Sequence, residues 1–133
     1  MSLITDNERL TSMASEKILV VDDSPTDLKL TAGPLQRGGF DVITAIDGEE
    51  ALNKATDERP QLIVLDVILP KKNGFQVCRQ LKTAPDTKDI KILLLTSKCQ
   101  DSDRFWGIKQ GADGYLTKPF NDDELLAHVN RLL

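Results

Sequence analysis

Three stretches of the chain, Ile18 to Val21, Leu62 to Leu65 and Ile92 to Leu95, are unbroken runs of four apolar residues. A run of that length suits a strand and falls short of a helix, and its lack of alternation means that neither face meets water. Strands apolar on both faces belong in a parallel sheet covered by helices on either side. The shorter stretch Gly114 to Thr117 and the β-branched stretch Phe40 to Ala45 bring the candidate strands to five.

Each strand is followed by a segment with helical spacing and recognisable ends. Ser24 as N-cap, Pro25 at the first helical position and Asp27 three residues past the cap open a first helix, and Gly38 and Gly39 close it. Pro34 lies inside that window, so a kink or an early end is expected there. Asp47 caps a second helix carrying Ala51, Leu52 and Ala55, which stops before Pro60. Asn73 opens a third, with Val77, Cys78 and Leu81 facing inward. Asp101 or Ser102 opens a fourth that ends near Gly111, with Phe105 and Ile108 on its core side and Trp106 partly exposed. Asn121 and Glu124 have capping-box spacing for a fifth, whose Leu125, Val129 and Leu132 recur at helical intervals. Strand followed by helix, five times over, predicts an α/β fold, a doubly wound sheet of five parallel strands joined by right-handed crossovers.

A chain of 133 residues has room for one such domain. Its 40% hydrophobic and 29% charged residues are an ordinary globular balance. No apolar run approaches the roughly 18 residues of a membrane span, and the polar start lacks a signal-peptide pattern. A cytoplasmic location with no membrane partner is expected. Residues 1 to 16 lie outside the strand and helix pattern and are expected to form a flexible arm, with the folded domain over 17 to 133. The net charge of -4 and the lack of a basic stripe argue against a nucleic-acid partner. Cys78 and Cys99, without CxxC spacing, indicate neither a disulfide framework nor a zinc site.

Ligands of an open parallel sheet bind beyond the carboxyl ends of its strands. Those ends carry Asp22 and Asp23, then Asp66, then Thr96 and Ser97, then Thr117 and Lys118. Adjacent acids ahead of a helix often serve only as caps and dipole partners. Three carboxylates converging on one lysine, however, leave an excess of negative charge that suits a hard divalent cation such as Mg²⁺, which in turn attracts phosphoryl oxygens. The rim is therefore expected to be built for phosphoryl transfer.

From Lys17 to Leu133 the sequence resembles the CheY-like receiver domains of two-component response regulators. The resemblance is carried by the acid pair Asp22 and Asp23, by Asp66 in LIVLDVILPKKNG, by Thr96 in ILLLTS and by Lys118 in YLTKPF. It implies the flavodoxin-like (βα)5 arrangement with strand order 2-1-3-4-5. It further implies that Asp66 accepts a phosphoryl group from a histidine kinase or a histidine phosphotransfer protein. Asp23 would bind Mg²⁺ directly, Asp22 directly or through water, and the backbone carbonyl of Ile68 would add a ligand. Lys118 would pair with the Asp66 carboxylate and then with a phosphoryl oxygen, while the Thr96 hydroxyl turns to bond another. Tyr115 matches the family's switch aromatic, coupling the site to the surface of the fourth helix, fifth strand and fifth helix, where Trp106 also lies. The Lys118–Pro119 bond matches the family's cis peptide.

Leu69 stands where methionine is common, a volume-conserving difference. Ile68 and Lys98 occupy the family's variable flanking positions, and an apolar Ile68 cannot orient a hydrolytic water, which implies slow loss of the phosphoryl group. With nothing beyond the fifth helix, the resemblance implies a stand-alone switch that catalyses only its own phosphorylation and dephosphorylation and acts on an unidentified downstream protein. The subfamily it most resembles regulates type IV pilus twitching motility. Haloacid-dehalogenase phosphatases also use an aspartate and Mg²⁺ at a parallel-sheet edge, but place a second acid where this chain has Ile68. A receiver-like scaffold working without phosphorylation is a further alternative. His128, the sole histidine, is expected to be solvated or half-buried, without a relay role.

Overall fold

The computed structural model describes residues 16 to 97, Phe105 and residues 107 to 133. In chain order it comprises β1 (Lys17–Val21), α1 (Pro25–Arg37), β2 (Asp41–Ala45), α2 (Gly48–Glu58), β3 (Leu62–Asp66), α3 (Gly74–Thr83) and β4 (Lys91–Thr96). There follow a helical segment, here α4, of which Phe105 and residues 107 to 109 are described, then β5 (Gly114–Thr117) and α5 (Asp122–Leu132). The expected arm over residues 1 to 15, the cap at Asp101 or Ser102, and Lys98, Cys99 and Trp106 lie outside the described residues.

All five strands run parallel in the order β2-β1-β3-β4-β5. The apolar runs explain why. Along β1, β3 and β4 successive side chains point to opposite faces, so Leu19, Val21, Ile63, Leu65, Ile92 and Leu94 enter one core cluster and Ile18, Val20, Leu62, Val64, Leu93 and Leu95 the other. Ala51 and Ala55 of α2 and Val77, Cys78 and Leu81 of α3 cover the first face. Leu35 of α1 and Leu125 and Val129 of α5 cover the second. Each buried leucine or isoleucine contributes about 2 kcal/mol by leaving water, so a sheet loaded on both faces cannot leave either bare.

The helix ends follow the local chemistry of the sequence. Ser24 accepts from the Asp27 amide and Asp47 from the Glu50 amide, while Asn73 with Gln76 and Asn121 with Glu124 form reciprocal capping boxes. One reading is settled in part and one is corrected. Of the kink or early end expected at Pro34, the early end does not occur, and the first helix runs through Pro34 to Arg37, where Gly38 closes it as expected. The missing amide of a helical proline costs about 3 kcal/mol, and burial of Thr31, Ala32, Pro34 and Leu35 on the same helix offsets it. Phe105 and Ile108 are not on the core side of α4, being 58% and 65% exposed. It is Gly107 that faces inward, because a residue without a side chain lets the helix backbone approach β4 and β5 closely.

Candidate functional site

The strand order brings the ends of β1, β3, β4 and β5 to one rim. Asp22 follows β1, its amide held by the Ala45 carbonyl at 3.1 Å, and its Oδ1 accepts from the Ser24 amide at 3.0 Å. Asp66 ends β3, paired with Leu95, and the next residue, Val67, donates to the Leu95 carbonyl at 2.9 Å. Thr96 ends β4 with its side chain buried, and its carbonyl accepts from the Lys118 amide at 2.6 Å. Lys118 follows β5 and its peptide bond to Pro119 is cis.

Carboxylate oxygens of Asp22, Asp23 and Asp66 lie within 4.8 Å of one another. Asp22 is almost wholly buried, Asp66 nearly so, and Asp23 is exposed. The Lys118 ammonium lies 3.0 Å from Asp22 Oδ2 and 3.3 Å from Asp66 Oδ2. It is also 3.5 Å from Asp27 Oδ2. The sequence by itself places Asp27 only in the first turn of α1. A helix opening directly off the rim strand turns its third residue back toward the strand end, and that spacing is the signal in the sequence that points to it. The Ile68 amide donates to Asp66 Oδ1 at 3.3 Å, and its side chain is 55% exposed. Tyr115 is half-buried on β5.

Burial is the largest influence on Asp66 and raises its pKa; Lys118 pulls it down and Asp22 pushes it up again, leaving the net shift upward. For Lys118, burial opposes the charged form, but the hydrogen bond to Asp22 and the charges of Asp66 and Asp22 prevail and hold the ammonium above the usual lysine value. One cation thus serves several acids. Oxygen ligands this close together, carrying more negative charge than Lys118 neutralises, fit a hard cation such as Mg²⁺.

A raised Asp66 pKa means that the metal-free carboxylate is less comfortable here than in the unfolded chain. Its stabilising contribution is present below the ordinary aspartate range and lost as pH rises through the folded-state value. Asp66→Asn is therefore expected to raise the melting temperature of the metal-free protein at pH 7 by a few degrees. That is about 1 kcal/mol once solvent screening is discounted. Thermal unfolding from pH 7 down to pH 4 checks it, since the gain must shrink as the pH falls.

A parallel sheet in this order, with an acid cluster and a lysine at its carboxyl rim, defines the receiver class of two-component response regulators. Residues 18–130 match the family of the response regulator receiver domain, and the chain belongs to that family. It is 38% identical over 117 residues to protein PilH of Pseudomonas aeruginosa, covering 88% of this chain and 97% of that one. It is 50% identical over 119 residues to the alkaline phosphatase synthesis transcriptional regulatory protein PhoP of Bacillus subtilis. That match covers 90% of this chain but 49% of PhoP, so the chain spans about half the length of that relative. Among solved structures, chemotaxis response regulator CheY4 of Vibrio cholerae superposes with a TM-score of 0.85 at 37% identity, covering 90% of this chain and 99% of that one. Among the described residues, no helix is long and apolar enough to cross a membrane.

Proposed function

We propose that this receiver domain is a phospho-accepting switch in which Asp66 takes a phosphoryl group from a phosphohistidine on a histidine kinase or histidine phosphotransfer protein. The observation that carries the reading is the convergence of the Asp22, Asp23 and Asp66 carboxylates within 4.8 Å of one another, with Lys118 against two of them. An oxygen of Asp66 bonds to phosphorus as the phosphorus–nitrogen bond of the donor breaks. The electron pair leaves on the imidazole nitrogen, which takes up a proton from solvent. The aspartate is a weak nucleophile, so positioning and charge neutralisation provide most of the rate.

Asp23, Asp22, Asp66 and the Ile68 carbonyl would hold Mg²⁺, which when bound would supply positive charge for the phosphoryl oxygens. The chain's own groups do the rest. The β3 backbone fixes Asp66, the Ile68 amide steadies one of its oxygens, and Lys118, already on the other, passes to a phosphoryl oxygen. Thr96, at the neighbouring strand end, bonds a further oxygen, and its turn toward the site favours the inward seat of the Tyr115 ring over an outward one. That shift of the ring alters the surface of α4, β5 and α5, where an unidentified protein reads the state. A place in chemotaxis-like or type IV pilus motility signalling rests on the family resemblance and on the likeness to the chemotaxis protein CheY4.

Acetyl phosphate with Mg²⁺ tests the reading by intact mass. The wild type is expected to gain one phosphoryl group and Asp66→Ala none; a gain in the variant, or repeated turnover of a small phosphate ester, overturns it. The same sample followed in time reports the lifetime of the product. Because the exposed Ile68 side chain offers a water no hydrogen bond, the aspartyl phosphate is expected to outlast a half-life of seconds.

A further inference from the structure

Gly107 is buried in the middle of a helical stretch, where glycine costs about 1 kcal/mol relative to alanine. A Cβ at that position would stand 3.0 Å from Leu94 Cδ1 and 3.3 and 3.6 Å from Cδ2 and Cε2 of Tyr115. The Tyr115 ring therefore lies against bare helix backbone. Its hydroxyl is buried although the residue as a whole is half-buried, and the ring packs on the core cluster that contains Leu94. The inward seat of the ring is thus a slot beside Leu94 that exists because residue 107 has no side chain. Tyr115 also borders an open hollow of about 310 Å³ with Ile108, Ala112 and His128, which gives the ring a second place to go.

We propose that Gly107 is a positioning residue for Tyr115: its missing side chain makes the inward seat, and so sets how readily the state of the acid pocket reaches the α4 surface. The proposal rests on the reading of Tyr115 as the switch aromatic. A methyl group at 107 narrows the slot from the α4 side and tips the ring toward the hollow. Among the described residues, the atoms nearest a Cβ at 107 belong to Leu94 and Tyr115 and not to the acid cluster, so phosphoryl acceptance itself is left intact.

Tyr115 is the chain's one tyrosine, so fluorotyrosine gives a single fluorine resonance that reports this ring alone. Gly107→Ala is expected to move that resonance toward its position in the unfolded chain. It is also expected to weaken binding of beryllofluoride with Mg²⁺, followed by thermal shift, at least about fivefold. Intact mass should still show one phosphoryl group gained from acetyl phosphate. In a Tyr115→Ala background, where no ring remains to be displaced, adding Gly107→Ala should leave beryllofluoride affinity within about twofold.

An unmoved resonance with unchanged affinity in folded Gly107→Ala overturns the proposal, as does an equal loss of affinity in the Tyr115→Ala background. Should Gly107→Ala fail to fold, recovery in the double variant supports the clash with the ring, and no recovery overturns it. Failure of the wild type to gain a phosphoryl group would instead strike the reading of Asp66, so the two failures are told apart.

Discussion

Replacing Gly74 by alanine is expected to cost about 3 kcal/mol or more, a large part of the stability of a domain this size. Gly74 is the first residue of α3, and its amide donates to the Val67 carbonyl at 2.7 Å, closing the loop that leaves β3. A Cβ there would stand 2.7 Å from Val67 Cα and closer still to the Asp66 carbonyl oxygen. Both neighbours are backbone, and the backbone they belong to cannot yield. Val67 is tied to Leu95, and Asp66 ends a strand paired on both sides. Relief therefore requires moving either α3 or Asp66. Denaturant unfolding measures the cost, and Gly33→Ala is the control. Gly33 lies inside α1, where the nearest obstacle is the flexible end of Arg37 at 3.2 Å, so alanine there should gain up to about 1 kcal/mol. Equal effects at the two positions would show that the β3–α3 turn has slack the geometry does not suggest.

Removing the Lys118 ammonium should separate catalysis from stability. Lys118→Ala is expected to slow phosphoryl acceptance from acetyl phosphate by about a hundredfold or more, the scale of losing one well-placed charge at a developing anion. It also leaves Asp22, nearly wholly buried, and Asp66 without their cation. Fully buried pairs lose 3–5 kcal/mol when one partner goes; here the ammonium keeps contact with solvent, and about 1–2 kcal/mol is the expected loss. The folded-state pKa of Lys118 lies above its ordinary value. The stabilisation it gives is accordingly full at neutral pH and lost only as pH rises through that raised value. Added Mg²⁺ should restore much of the melting temperature, because a cation again sits among the acids, while the rate stays low. If rate and stability recover together, Lys118 acts only as a structural counter-ion.

What the sequence makes legible depends on the range of the interaction. Ser24, Asp47, Asn73 and Asn121 were legible as helix caps because each bonds an amide three residues away. The buried sheet was legible because a strand with both faces apolar has one favourable environment. Phe105 and Ile108 were misread for the opposite reason. Helical spacing identifies a stripe, but which stripe faces inward depends on how near the sheet comes, and at α4 the small residue wins the close approach. At Pro34 the local cost is visible in the sequence and the burial that offsets it is not, so of a kink or an early end the early end does not occur.

From sequence alone came the five-fold repeat of strand and helix, the caps, and the acids and lysine at successive strand ends, because these depend on neighbours in the chain and on the solvation of whole faces. Tertiary structure alone decided that Asp22 is buried and Asp23 exposed, that Asp27 reaches Lys118 at 3.5 Å, and that Gly74 and Gly107 stand where a side chain would strike a neighbour. Burial and close approach are set by segments that arrive from elsewhere in the chain, so neither is written in the residues on either side.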